Sequence, residues 1–129
     1  MPGMSEQSEQ LKRRTMRFAL DACALIRALP HDEPSTTVRR QLAKAATSVA
    51  FNYRASCRAR SHTEFTAKLG TVVEEADEAF GWLEFIEAAD LLRVAELKRL
   101  IGEADEITAI MAASYRTARQ KERLRGRNR

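Results

Sequence analysis

Apolar and small residues recur at alternating steps of four and three along almost the whole chain, the rhythm of amphipathic helices that bury one stripe each. The first run is Leu11, Thr15, Phe18, Ala22, Leu25 and Leu29, with Ile26 alongside. It predicts a helix from about Ser5 to Leu29, stopped by Pro30, which has no amide hydrogen for the preceding turn. His31-Asp32-Glu33-Pro34 reads as a polar loop, and Ser35 or Thr36 as the cap of the next helix. There the seam is Val38, Leu42, Ala45, Val49, Asn52 and Ser56, ending near Ser61. Ser61-His62-Thr63-Glu64 matches a capping box, in which the serine accepts the Glu64 amide and the glutamate reaches back. The third seam is Phe65, Leu69, Val72, Ala76, Ala79, Leu83 and Ile86. A break around Ala89 to Leu92, without Gly or Pro, precedes a fourth seam of Val94, Leu97, Ile101, Ala104, Thr108 and Met111.

Four helices of about 25 residues with short connections imply an all-α, up-down-up-down four-helix bundle. A chain of 129 residues can bury one self-sufficient core. Residues 1–120 form the expected domain, and residues 121–129, charged and poor in apolar side chains, are expected to fray from the fourth helix as a flexible basic tail. Gly70, Gly81 and Gly102 lie inside helices, each at a cost of roughly 1 kcal/mol against alanine, and are candidates for close helix approach.

Charge is segregated along the chain. Arg39, Arg40, Lys44, Arg54, Arg58 and Arg60 meet no acid between Thr36 and Arg60. Glu64, Glu74, Glu75, Asp77, Glu78, Glu84, Glu87 and Asp90 follow, with Lys68 as the exception. The second and third helices are therefore adjacent and of opposite sign, and part of their charge is expected to pair within or between subunits. Arg116, Arg119, Lys121, Arg123, Arg125, Arg127 and Arg129 outweigh Glu122 by more than the whole chain's net +4, so the remainder is net acidic. Phosphate contact by this end plus part of the second helix is the functional expectation, with affinity that falls steeply with salt.

No apolar run approaches the ~20 residues that cross a bilayer, and the polar, acidic start to Gln10 lacks the basic and apolar regions of a signal peptide. With Cys23 and Cys57 on separate helices and no CxxC pair, the expectation is a cytoplasmic protein with both thiols reduced.

An enzyme is not expected. Di-metal bundles need Glu-x-x-His on facing helices, and no Glu here has a His three residues on. His31 and His62 fall at helix ends, and no Gly-rich phosphate loop occurs. Glu74-Glu75-x-Asp77-Glu78 reads as a solvated or salt-bridged face. No catalytic residue, metal or cofactor is expected.

Asn52 interrupts the apolar seam one turn after Ser48, and a buried amide needs partners. Glu75 and Glu78 are the candidates, so Ser48, Asn52, Glu75 and Glu78 make an expected structural polar core that fixes register. Lys44, Phe51 and Arg58 share an outward column, where Phe51 either stacks a base between two cations or is covered by another subunit. Trp82 and Phe85 also lie off the seam, so Phe51, Trp82 and Phe85 form the expected oligomer interface.

The run Gln41-Leu42-Ala43-Lys44-Ala45-Ala46-Thr47-Ser48-Val49-Ala50-Phe51-Asn52-Tyr53-Arg54, with Arg58-Ala59-Arg60-Ser61, Glu64-Phe65, Lys68-Leu69, Glu74-Glu75-Ala76-Asp77-Glu78 and Trp82-Leu83, resembles a known family. These are the small bacterial four-helix-bundle proteins encoded in intervening sequences of large-subunit ribosomal RNA genes, to which the accessory variability protein of diversity-generating retroelements is similar. The resemblance spans roughly Leu11 to Arg119. It implies a ring-like homopentamer and, for the retroelement branch, a basic surface for nucleic acid and a reverse transcriptase as partner. For the intervening-sequence branch it implies no established activity. Ala55 departs from the family's Asn-x-x-Glu pattern, which reduces any polar cluster there.

The resulting expectation is a non-enzymatic, self-associating bundle that offers RNA or DNA a basic surface. That surface comprises Arg39, Arg40, Lys44, Arg54, Arg58, Arg60, Arg116, Arg119, Lys121, Arg123 and Arg125. The rival is a structural or protein-interaction module that binds no nucleic acid.

Overall fold

The seams fold as four helices in the computed structural model, which describes residues 5–127; Met1 to Met4, Asn128 and Arg129, the last a member of the expected basic tail, lie outside the described residues. They are α1 (Glu6–Ile26), α2 (Ser35–Cys57), α3 (His62–Ala88) and α4 (Ala95–Arg127). Each helix packs on its neighbour in the chain, and α4 closes back on α1 along the slimmest seam. Short turns make sequential helices antiparallel, so the start of α1, the end of α2, the start of α3 and the end of α4 share one end of the bundle.

Local chemistry sets the helix ends. Ser5 caps α1, accepting the Ser8 amide at 3.1 Å. At α2 the expected Ser35 or Thr36 cap gives way to Glu33, whose carboxylate accepts the Thr37 amide at 2.9 Å and its hydroxyl at 2.6 Å. A carboxylate there also suits the positive end of the helix dipole. Ser61 caps α3 as the sequence predicts, accepting the Glu64 amide at 3.1 Å, while the Glu64 carboxylate accepts from the Arg60 amide rather than that of Ser61. The break without Gly or Pro is a Schellman turn around Asp90. Asp90 takes φ 57°, its amide donates to the Glu87 carbonyl, and the Leu91 amide donates to the Ile86 carbonyl. Aspartate tolerates this left-handed conformation better than most residues.

The core is a stack of side chains from all four helices. Phe18, Leu29, Leu42, Val49, Leu69, Leu83, Ile86, Leu100, Ile107 and Met111 are almost wholly buried. On α2 the seam runs through Ala46, Val49, Ala50 and Tyr53, and Asn52 stands at its edge, half-buried. On α4 Leu100 and Ile107 are buried where the spacing predicts Ile101 and Thr108, and Val94 is exposed ahead of the helix. Among the internal glycines, Gly70 alone marks a close approach: a Cβ there would meet the Tyr115 ring at 3.1 Å, whereas Gly81 and Gly102 face open space.

The α1–α4 seam is closed by charge. Arg14 donates to both oxygens of Glu103 at 2.7 and 2.9 Å, and its guanidinium lies 3.2 Å from Glu106. Arg99 pairs with Asp21 at 2.7 Å. The Arg14 hydrogen bonds hold the Glu103 carboxyl below the usual glutamate value of 4.5. A depressed carboxylate contributes stability that is present above its unfolded pKa and lost as pH falls through its folded one. Glu103→Gln is therefore expected to cost about 1–2 kcal/mol near pH 7, the scale of a charge-assisted bidentate pair. Chemical denaturation should show that difference shrinking as pH falls below 4.5.

Candidate nucleic-acid interface

The fourth helix does not end where its core contacts end. Ala118 is its last buried residue, yet the helix continues to Arg127. Past Lys121, where fraying is expected, the described residues form a helical arm to Arg127, and extending an existing helix costs far less than nucleating one, with Lys, Glu, Arg and Leu good helix formers. The arm also carries Leu124 exposed.

Helical geometry sorts the arm's cations. At 100° per residue, Arg116, Arg119, Arg123 and Arg127 fall within one arc and span about 16 Å along the axis. Lys121 and Arg125 fall on the other side, towards the start of α3. Arg119 lies over the ring of half-buried Tyr115, 5.7 Å from its centroid. Tyr115, Arg116, Arg119, Gln120 and Arg123 line an open groove of about 400 Å³. Among the described residues, none of the arm's cations forms an ion pair.

The arm is tied to the bundle at its root. His62 Nε2 lies 2.8 Å from the Ala118 carbonyl oxygen, joining the first residue of α3 to α4. Ser61, His62, Thr63, Glu122, Arg125 and Gly126 line a shared cleft. Arg54, Arg58 and Arg60, all exposed, stand at this same end. The other sequence-predicted cations do not. Arg40 lies about 27 Å along α2 from Arg58, Lys44 about a turn nearer, and Arg39 is engaged by the His31 ring at the opposite end. The expected surface thus divides into a basic end and a separate α2 face.

The expected polar core is only partly assembled. Asn52 Nδ2 donates to the Ser48 carbonyl oxygen at 2.9 Å, a bond within its own helix rather than across to Glu75. Glu78 is exposed, and Glu75 Oε2 is buried without a hydrogen-bond partner. Burial, then the neighbouring Glu78 charge, pushes the Glu75 carboxyl above the usual glutamate range, while Lys44 across the helix pair opposes the shift. Asn52 fails to reach across because Tyr53 occupies the inward position beside it.

The aromatic side chains keep their expected outward positions. Phe51 is 54% exposed and Phe85 42%, and Trp82 is half-buried with its ring edge-on to Phe85 at 5.8 Å. Among the described residues no α2 cation comes within ion-pair distance of an α3 acid in the protomer, so of the expected pairing within or between subunits only the longer-range action of Lys44 on Glu75 is seen inside it.

Of the residues at this end, Tyr115 and His62 are absent from the basic surface that sequence reasoning assembles, and Arg127 enters there only as part of the basic tail. The i, i+4 spacing of Tyr115 and Arg119 is a readable signal for the first, and the 116-119-123-127 spacing for the last. The His62 contact to α4 has no local signal. Among the described residues no cluster could hold a metal ion, and no helix is long and apolar enough to cross a membrane.

A family model described as 23S rRNA-intervening sequence protein matches residues 7–113, ending just before the arginine stripe. No curated protein matches the chain. A solved structure described as a protein of unknown function from the S23 ribosomal protein family of Bacteroides thetaiotaomicron is similar in fold. It is 22% identical, with a TM-score of 0.74, over 81% of this chain and 97% of that one.

Proposed function

We propose, from the premise that this chain belongs to the 23S rRNA-intervening sequence protein family, that it is a non-enzymatic, self-associating, cytoplasmic accessory protein. It holds RNA or DNA by the phosphate backbone. The observation that carries this reading is the α4 stripe: Arg116, Arg119, Arg123 and Arg127 on one side of a helix that has left the core, with no acid paired to them among the described residues. Guanidinium groups repeated at about 5–6 Å along a rigid rod fit a line of phosphates and read no base. Arg54, Arg58 and Arg60 add positive field at the same end, and a ring of copies, pentameric by family resemblance, repeats that end around its axis.

Titration of labelled duplex and single-stranded RNA and DNA at several salt concentrations tests the proposal. The expected result is binding with little sequence preference and a steep negative log–log salt slope. Absence of binding at low salt overturns it. In that event the alternative, a protein-interaction module, is favoured by the unneutralised faces of α2 and α3.

A further inference from the structure

The outward faces of α2 and α3 are mismatched with water and matched with each other. On α2, Arg40, Lys44, Arg54 and Arg58 surround the exposed Phe51. On α3, Glu74, Asp77, Glu78 and Glu84 surround the exposed Phe85. Within one protomer the two sets form no ion pair among the described residues, so each helix carries a column of like charge and an aromatic ring on its outside. Like charges a turn apart repel. We infer that the α2 face of one copy docks on the α3 face of a second copy, with cations against carboxylates and the aromatic rings covered. This rests on the self-association proposed for the chain and specifies which surfaces perform it.

Register supports the pairing. Lys44 and Glu75 are close enough across the antiparallel α2–α3 pair for the lysine to oppose the glutamate's shift. Because residues 58–61 join the two helices by a short turn, positions at equal steps in opposite directions from these two lie at similar heights. In a neighbouring copy held at the same height, Arg40 stands near Glu78 and Lys44 near Glu74. Phe51 stands level with the small, exposed Ala67. Opposite charges meet along the contact instead of alternating with like ones.

Geometry favours closure. The contact is heterologous, since the two faces differ, and such contacts make rings when the turn per copy divides a circle. The ring-like assembly that the family resemblance implies is of this heterologous kind. Assembly takes up Arg40 and Lys44, while Arg54, Arg58 and Arg60 stay with the α4 arms at one rim.

Charge exchange in the full chain tests the inference. Arg40→Glu and Lys44→Glu together reverse one face; Glu74→Arg and Glu78→Arg together reverse the other; a third variant carries both sets. Light scattering without nucleic acid should give the assembled mass for the unaltered protein, the protomer mass for each single-face variant, and recovery of the assembled mass for the combined variant. Circular dichroism checks that helix content is kept, and raising salt to about 1 M, where charges are screened beyond ~3 Å, should weaken assembly. Assembly of either single-face variant, or failure of the combined variant to recover, overturns this pairing while self-association stands. A protomer mass for the unaltered protein overturns both.

Discussion

Truncating Tyr53 to alanine is expected to lower the unfolding free energy by about 3–5 kcal/mol, the cost of emptying an aromatic site in a packed core. Asn52→Ala, one residue earlier, should cost about 1 kcal/mol or less. Tyr53 is 5% exposed and belongs to the continuous core. Asn52 is half-buried and commits its amide to a bond inside its own helix, which alanine's higher helix propensity largely offsets. The phenol adds a pH signature. Burial, with the Cys57 thiol nearby, pushes it up to about 12 from the usual 10.0. A raised acid favours folding while protonated, so its contribution is complete below 10.0 and is lost as pH climbs towards 12. Tyr53→Phe should lack this alkaline loss. Urea midpoints of that variant and of the unaltered protein across the same range measure the difference, and equal slopes would place the phenol in water.

The Asn52–Tyr53 pair also shows why the fold is legible in the sequence and parts of its surface are not. A seam of alternating threes and fours fixes every seventh residue and leaves the intermediate step free. Leu97, Ala104 and Met111 are therefore shared by two seams of α4, one through Ile101 and Thr108 and one through Leu100 and Ile107. The structure takes the second, with Ile101 and Thr108 half-buried on the flank. On α2 the same ambiguity separates Asn52 from Tyr53, and the larger ring takes the interior. Helix number and order survive this ambiguity because they depend on the period and the stops, such as Pro30 and the Ser61 cap. Contacts between helices depend on side-chain reach, and no spacing rule specifies that the α2 cations and α3 acids remain unpaired. The arm's helical form is hidden in the sequence for a different reason. Its composition says that it cannot fold alone, but it does not have to, because the rest of α4 has already met the cost of nucleation.

Replacing Arg116, Arg119, Arg123 and Arg127 by alanine together should weaken duplex binding roughly 10²-fold near 0.1 M salt and reduce the log–log salt slope by about 3–4, close to one unit for each phosphate no longer neutralised. Lys121→Ala with Arg125→Ala should weaken it less than about tenfold. Net charge alone would predict losses in simple proportion to the cations removed, so the two sets separate a directed stripe from a diffuse positive tail. The comparison is sound only while the arm stays helical, which alanine favours and circular dichroism can verify. Arg127 is the sharpest single position. It shares the stripe's side of α4 from beyond the bundle's last buried residue, Ala118, so Arg127→Ala removes a charge without touching the core. Equal loss per cation from both sets would mean that the arm attracts nucleic acid by field alone. Unchanged affinity in both would move the contact to Arg54, Arg58 and Arg60 at the end of α2.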